Sequence, residues 1–141
     1  KAKITTPSTA AIKALKKFNI KKIAIFTPYS KKLNDAVIDY FSSEGFDIVT
    51  NTYLDIAADY DIGKVDQNFL FKTLSQIQIK NADALFISCT ALPVLNLIER
   101  LEKELGKPVI TSNQSLIWDT LESIGMNKDI LGFGKLFNFD Q

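Results

Sequence analysis

The sequence predicts a doubly wound, parallel α/β sheet of four strands, and three features carry that reading. Two short apolar runs, Lys22-Ile23-Ala24-Ile25-Phe26-Thr27 and Asp83-Ala84-Leu85-Phe86-Ile87-Ser88, show the continuous hydrophobicity of strands buried on both faces, not the alternation of a half-exposed sheet. Segments of helical period separate the strands, which requires crossover connections and hence parallel pairing. The 141 residues, 46% of them apolar, suffice for one sizeable core and leave little for a second full domain.

Each element has its own local signal. Thr6-Pro7-Ser8 ahead of Ala10, Ala11, Ala14 and Leu15 reads as a capped helix start, with Thr6 or Ser8 as cap and the helix running to about Phe18. The 22–27 run is closed by Pro28 and belongs at the centre of the sheet. Leu33, Val37, Ile38 and Phe41 place a helix over 30–44 that Gly45 ends, and a strand follows over 46–53. The mixed, polar stretch 54–64 reads as a loop beyond a strand end, before a helix over 65–79 with Phe69, Leu70, Leu74 and Ile77 on one stripe. The 83–88 strand leads into Cys89-Thr90-Ala91-Leu92 and a helix that runs through Leu105 and stops at Gly106. A short strand over 108–111 precedes a last helix, capped by Ser112-Asn113, carrying Leu116, Ile117, Leu121 and Ile124 and ending at Gly125. The residues after Asn127 show no clear period. Neither a repeat nor a low-complexity linker interrupts this order.

Composition narrows the chemistry. Seventeen Lys and Arg against 16 Asp and Glu leave a net charge of +1, with no positive field to gather phosphates, so nucleic acid is not an expected partner. No apolar run approaches the roughly 20 residues of a membrane-spanning helix, the 1–4 segment has no signal-peptide core, and no membrane association is expected. Without an initiator Met, an interior fragment or a processed start is expected. One cysteine permits no internal disulfide, which fits a reducing cytoplasm. Histidine is absent, which excludes Ser-His and Cys-His dyads and the commonest zinc ligands within the chain. Gly132-Phe133-Gly134-Lys135 lacks the spacing of a P-loop, and no dinucleotide fingerprint is present.

In a parallel sheet, ligands collect beyond the carboxyl ends of the strands, here Thr27-Pro28-Tyr29, the 54–61 loop, Ser88-Cys89-Thr90 and Thr111-Ser112-Asn113. Cys89 stands where a buried strand is expected to hand over to a helix, so the N–H groups of Thr90 and Ala91 should face its sulfur or a bound anion. A cysteine so placed is commonly more acidic than the free thiol and serves as acid, base or nucleophile near neutral pH; the plainer alternative is a small buried hydrophobe. Tyr29 can bring its hydroxyl to the same crevice, or simply pack there with a wet hydroxyl. Ser112 and Asn113 are explained by helix capping alone. Asp55, Asp59 and Asp61 are spaced too irregularly for a metal site, and solvation accounts for them.

Thr27-Pro28-Tyr29, Ile62-Gly63, the run from Ala82 to Leu92 through Ser88-Cys89-Thr90-Ala91, and Gly106-Lys107-Pro108-Val109-Ile110-Thr111-Ser112-Asn113-Gln114 together resemble the maleate isomerase, arylmalonate decarboxylase and ectoine-utilisation branch of the Asp/Glu racemase superfamily. The resemblance implies one flavodoxin-like lobe of a two-lobed fold, with residues 1–20 a helix from the end of the first lobe, 21–125 the second lobe, and 126–141 a tail packing on the first. It implies that Cys89 is the second-half catalytic cysteine and that Tyr29, with Thr90 and Ala91, holds a substrate carboxylate; Pro28 and Asn113 are further candidates. The first-half strands and their reactive motif are missing. The expected function is cofactor-independent, metal-free isomerisation of a small dicarboxylic acid, maleate cis-trans isomerase-like, by a complete enzyme that is a homo-oligomer. Arylmalonate-type decarboxylation or amino-acid racemisation are the alternatives within the superfamily. A non-catalytic small-molecule-binding domain of flavodoxin-like architecture is the alternative outside it.

Overall fold

The computed structural model of the chain describes residues 3–126 and 129–138. Helix α1 (Pro7–Lys17) starts on Thr6, whose side chain accepts the Thr9 N–H at 3.2 Å, so Thr6 is the cap and Pro7 occupies the first turn. Strand β1 (Lys22–Thr27), helix α2 (Lys31–Ser43) and strand β2 (Asp47–Tyr53) follow, with Gly45 at φ +92° turning the chain between the last two. The stretch expected as loop contains one helical turn, α3 (Asp59–Ile62), before α4 (Gln67–Ser75), capped by Asp66 through the Phe69 N–H. Helix α4 is shorter than its apolar stripe: Phe69 is exposed, and Ile77 is buried just beyond the helix end. Strand β3 (Ala84–Ile87), helix α5 (Ile98–Leu105), strand β4 (Val109–Thr111) and helix α6 (Ser112–Ser123) complete the alternation.

All pairings are parallel, in the order β2-β1-β3-β4. The two continuous apolar runs are the two central strands. Successive side chains point to opposite faces: Ala24, Phe26, Leu85 and Ile87 join the core under α4 and α5, while Ile23, Ile25, Ala84 and Phe86 join the core under α1, α2 and α6. β2 lies at the sheet edge and is half-exposed along its length. Its Thr50 hydroxyl donates to the Gln78 carbonyl, 2.9 Å away, and so partly covers that edge. Strand order runs outward from β1 to β2 and then returns past β1 to β3. The switch point therefore lies between the carboxyl ends of β1 and β3.

Both ends of the chain contribute to the lobe's own core. Ala11, Ile12, Ala14 and Leu15 of α1 are buried beside Trp118 of α6, and Lys13 Nζ pairs with the buried Asp119 carboxylate at 2.8 Å. Ile130, Phe133, Leu136 and Phe137, of the tail expected to face a first lobe, pack into the same cluster; 1–2, 127–128 and 139–141 lie outside the described residues. Two buried side chains hold that tail. Glu102 accepts the Val109 N–H at 3.0 Å and the Lys135 N–H at 2.9 Å, tying α5, β4 and the tail together. Gln114 Nε2 donates to the Phe133 carbonyl at 2.6 Å. Burial pushes the Glu102 carboxyl above its ordinary range, and the two N–H donors offset part of that push.

Gly134 makes this close approach possible. A Cβ there stands 2.5 Å from Ile98 Cγ2 and 3.1 Å from Glu102 Oε2, on a backbone at φ +83°. Gly134→Ala should therefore destabilise the fold by roughly 2–4 kcal/mol, from overpacking plus backbone strain. Gly125→Ala, at φ +73° with nothing within 4 Å, should cost only about 1 kcal/mol. Urea denaturation of the two variants checks the difference.

Candidate functional site

Tyr29 follows the carboxyl end of β1, and Ser88-Cys89-Thr90 follows that of β3, on either side of the switch point. Parallel pairing in the register Phe26↔Ile87 brings the two strand ends level, and the Ser88 N–H donates to the Phe26 carbonyl at 2.9 Å. The Tyr29 hydroxyl lies close enough to the side chains of Ser88 and Cys89 for both to act on its ionisation. Pro28 is buried and its carbonyl accepts the Ile56 N–H at 2.9 Å, which folds the start of the 54–61 segment over the β1 end.

Burial, the largest influence, pushes the Tyr29 phenol up to about 12; the Ser88 hydrogen bond pulls it down, while the charges of Cys89 and Asp59 push it further up. The side chain is therefore a neutral hydrogen-bond donor at any ordinary pH. Asp59, in the first turn of α3, is the acidic group the sequence offered only as a solvated loop residue, and its field reaches the phenol. Asp55 takes another role: its Oδ1 accepts the Lys31 N–H at 3.3 Å, at the start of α2. Asp61 sits 3.7 Å from Lys64 Nζ. Among the described residues no group of three or more His, Cys, Asp or Glu is placed to hold a metal ion.

Cys89 is 6% exposed and its backbone has φ +125°, a conformation that residues with a Cβ rarely adopt and that costs about 1–3 kcal/mol. The helix expected to begin here does not. Leu92 precedes Pro93, whose ring disfavours helical backbone in the residue before it, so the chain runs irregularly to a short 3₁₀ turn, Leu95–Leu97, and α5 begins only at Ile98. The macrodipole of α5 is accordingly not at the sulfur. A local turn replaces it: the Ala91 N–H donates to Cys89 Sγ at 3.3 Å, while Thr90 and Ala91 themselves are exposed above the thiol. The buried-hydrophobe alternative accounts for the low exposure of Cys89 and its contacts in the core, but not for its backbone conformation or for the phenol and N–H that face its sulfur.

Two further contacts come from the end of β4. Ser112 Oγ accepts the Cys89 N–H at 3.1 Å, and Asn113 Nδ2 donates to the Thr90 carbonyl at 2.8 Å. Neither caps α6: Thr111 and Gln114 do, through a reciprocal capping box. Sequence reasoning missed Ser88 and Ser112 as site residues because a short polar residue at a strand end has several equivalent explanations. Their positions directly after β3 and β4 were the available signal.

A buried thiol beside a half-buried phenol stands at the switch point of a doubly wound parallel α/β sheet. The arylmalonate decarboxylase family model matches residues 2–137, and the chain belongs to that family. It is 28% identical over 138 residues to maleate isomerase from Geobacillus stearothermophilus, covering 97% of this chain and 55% of that protein. It is 26% identical over 141 residues to arylmalonate decarboxylase from Bordetella bronchiseptica, covering 95% and 57%. Its fold superposes with a TM-score of 0.91 on a Cys-to-Ser mutant of maleate cis-trans isomerase from Nocardia farcinica with a covalently bound succinylcysteine intermediate, at 25% identity over 96% of this chain and 56% of that one. The chain thus spans about half the length of the relatives it matches. Among the described residues no helix is long and apolar enough to cross a membrane.

The raised Tyr29 phenol has a sign that can be checked. With the folded value above the ordinary 10.0, the stability linked to this proton is fully present below pH 10 and is lost as pH rises toward about 12. Urea unfolding at pH 9 and at pH 11.5 should therefore show a smaller loss of stability for Tyr29→Phe than for the wild type.

Proposed function

We propose that this chain is the thiol-bearing lobe of a cofactor-independent isomerase of a small cis-dicarboxylic acid. Cys89 is its nucleophile, and Tyr29 with the backbone at Thr90 and Ala91 receives the carboxylate. The observation that carries the reading is the Ala91 N–H directed at Cys89 Sγ from 3.3 Å, with the Tyr29 phenol near enough for the thiol to act on it. The succinylcysteine intermediate in the Nocardia relative supports covalent addition by a cysteine on this fold. The companion lobe, which the coverage of about half of each relative leaves room for, supplies the remaining contacts to the substrate. Residues 1–20 then lead from the companion lobe into this one, where α1 packs on α6, and 21–125 with the tail form the rest of it.

The chemistry balances without any external reagent. The Cys89 thiolate adds to one alkene carbon, a C–S bond forms, and the π electrons move into the neighbouring carboxylate to give an enediolate. Donors already in place, the Tyr29 hydroxyl and the backbone N–H groups, stabilise that oxyanion. The carbon–carbon bond is now single and rotates; re-forming the double bond expels the thiolate and releases the trans acid. Pro28 holds the 54–61 segment at the β1 end through its carbonyl, and Asn113 steadies Thr90. We place the enzyme in the cytoplasm, where an unpaired thiol stays reduced, as a homo-oligomer.

The family match supports a second reading, arylmalonate-type decarboxylation, in which the Cys89 thiol delivers a proton to the enediolate left after loss of CO₂. The isomerase reading is preferred because the fold is nearer to maleate isomerases, at TM-scores of 0.91 to 0.93, than to arylmalonate decarboxylases, at 0.84 to 0.87.

The test is proton NMR of maleate conversion by the lobe together with its companion. Fumarate should accumulate, and Cys89→Ala should abolish it while circular dichroism shows the fold retained. Tyr29→Phe should lower kcat about 100-fold or more, the loss of one oxyanion donor. Maleate turnover by the Cys89→Ala protein overturns the proposal; CO₂ release from phenylmalonate with maleate left unchanged assigns the second reading.

A further inference from the structure

Ser112 and Asn113 open α6 without capping it, since Thr111 and Gln114 already satisfy each other at that helix start. Ser112 is nevertheless buried, 5% exposed, and spends its oxygen on the Cys89 N–H. Asn113 spends its amide on the Thr90 carbonyl. Two consecutive residues of α6 therefore hold the two ends of a two-residue segment: the N–H before the Cys89 α-carbon and the carbonyl after that of Thr90.

The second of these contacts has a directional consequence. The Thr90 carbonyl and the Ala91 N–H belong to one planar trans peptide and point in opposite directions. Drawing the carbonyl toward Asn113 aims the N–H the other way, and there it meets Cys89 Sγ at 3.3 Å. The first contact fixes the other end. An uncommon φ such as the +125° of Cys89 persists only where the surroundings over-determine it, and Ser112 gives the buried Cys89 N–H its partner in that conformation.

We propose that Ser112 and Asn113 are positioning residues that set the angle of the Thr90–Ala91 peptide, so that its N–H faces the sulfur of Cys89. The inference rests on the reading of Cys89 as a reactive thiol, and its test is independent of turnover. The N–H holds the sulfur in one orientation at the strand end. Rotating it away frees the sulfur from that orientation and should slow its alkylation.

The experiment is alkylation of Cys89 by iodoacetamide in the full chain, followed by mass spectrometry across pH, for wild type, Ser112→Ala, Ser112→Thr and Asn113→Ala. Asn113→Ala removes a partly exposed side chain and should keep the wild-type melting temperature. Its alkylation should be about tenfold slower near pH 7, the equivalent of one hydrogen bond. Ser112→Ala should behave likewise, and Ser112→Thr, which retains the oxygen, should recover most of the rate. Asn113→Ala alkylated at the wild-type rate at every pH overturns the proposal, also where Ser112→Ala fails to fold. Slowed alkylation in a protein whose Cys89→Ala variant still converts maleate upholds the positioning and discards only the catalytic role of Cys89.

Discussion

Everything that makes this lobe a site hangs on the parallel pairing of β1 with β3. The register from Ile23↔Ala84 to Phe26↔Ile87 sends alternate residues into two separate cores and brings the strands to an end at the same level. A slip of one residue would exchange the two faces of either strand, burying Thr27 or Ser88 where Phe26 or Ile87 belongs. The fully buried side chains along both strands make that exchange prohibitive. Tyr29 and Cys89 meet because the cores on either side permit no other alignment.

The fold was legible because its dominant signals are local. A continuous apolar run between two helical periods has few interpretations, and both runs became central strands. The edge position of β2 was less visible, since a half-exposed strand such as Asp47–Tyr53 carries a weaker apolar pattern. The helix after β3 starts later than expected, at Ile98, because Pro93 disfavours helical backbone at Leu92 and the chain first makes the Leu95–Leu97 turn. Its actual course is set by contacts from Ser112 and Asn113, more than 20 residues away, which no local window contains. The tail was illegible for the same reason: its anchors are Glu102 and Gln114, and its own sequence has no period.

Of the candidate site, the strand ends were readable and the geometry between them was not. Cys89 and Tyr29 were each ambiguous alone, one explicable as core and the other as packing. Their convergence changes the weighing, because a half-buried phenol held neutral, a thiol and a backbone donor come together at one strand end. The expected helix dipole is exchanged for a single aimed peptide, a weaker source of field but a more directional one.

The two cores differ in where their residues lie along the chain. The cluster that includes Cys89 draws on residues between Ala24 and Val109, whereas the opposite one joins Ala11 to Phe137. During synthesis the first can assemble once the interior segment has emerged, while the second must wait for the tail. The thiol-bearing face thus has all its parts while the α1–α6 face is still unfinished and apolar. That interval is when the nascent lobe is most exposed to misassociation.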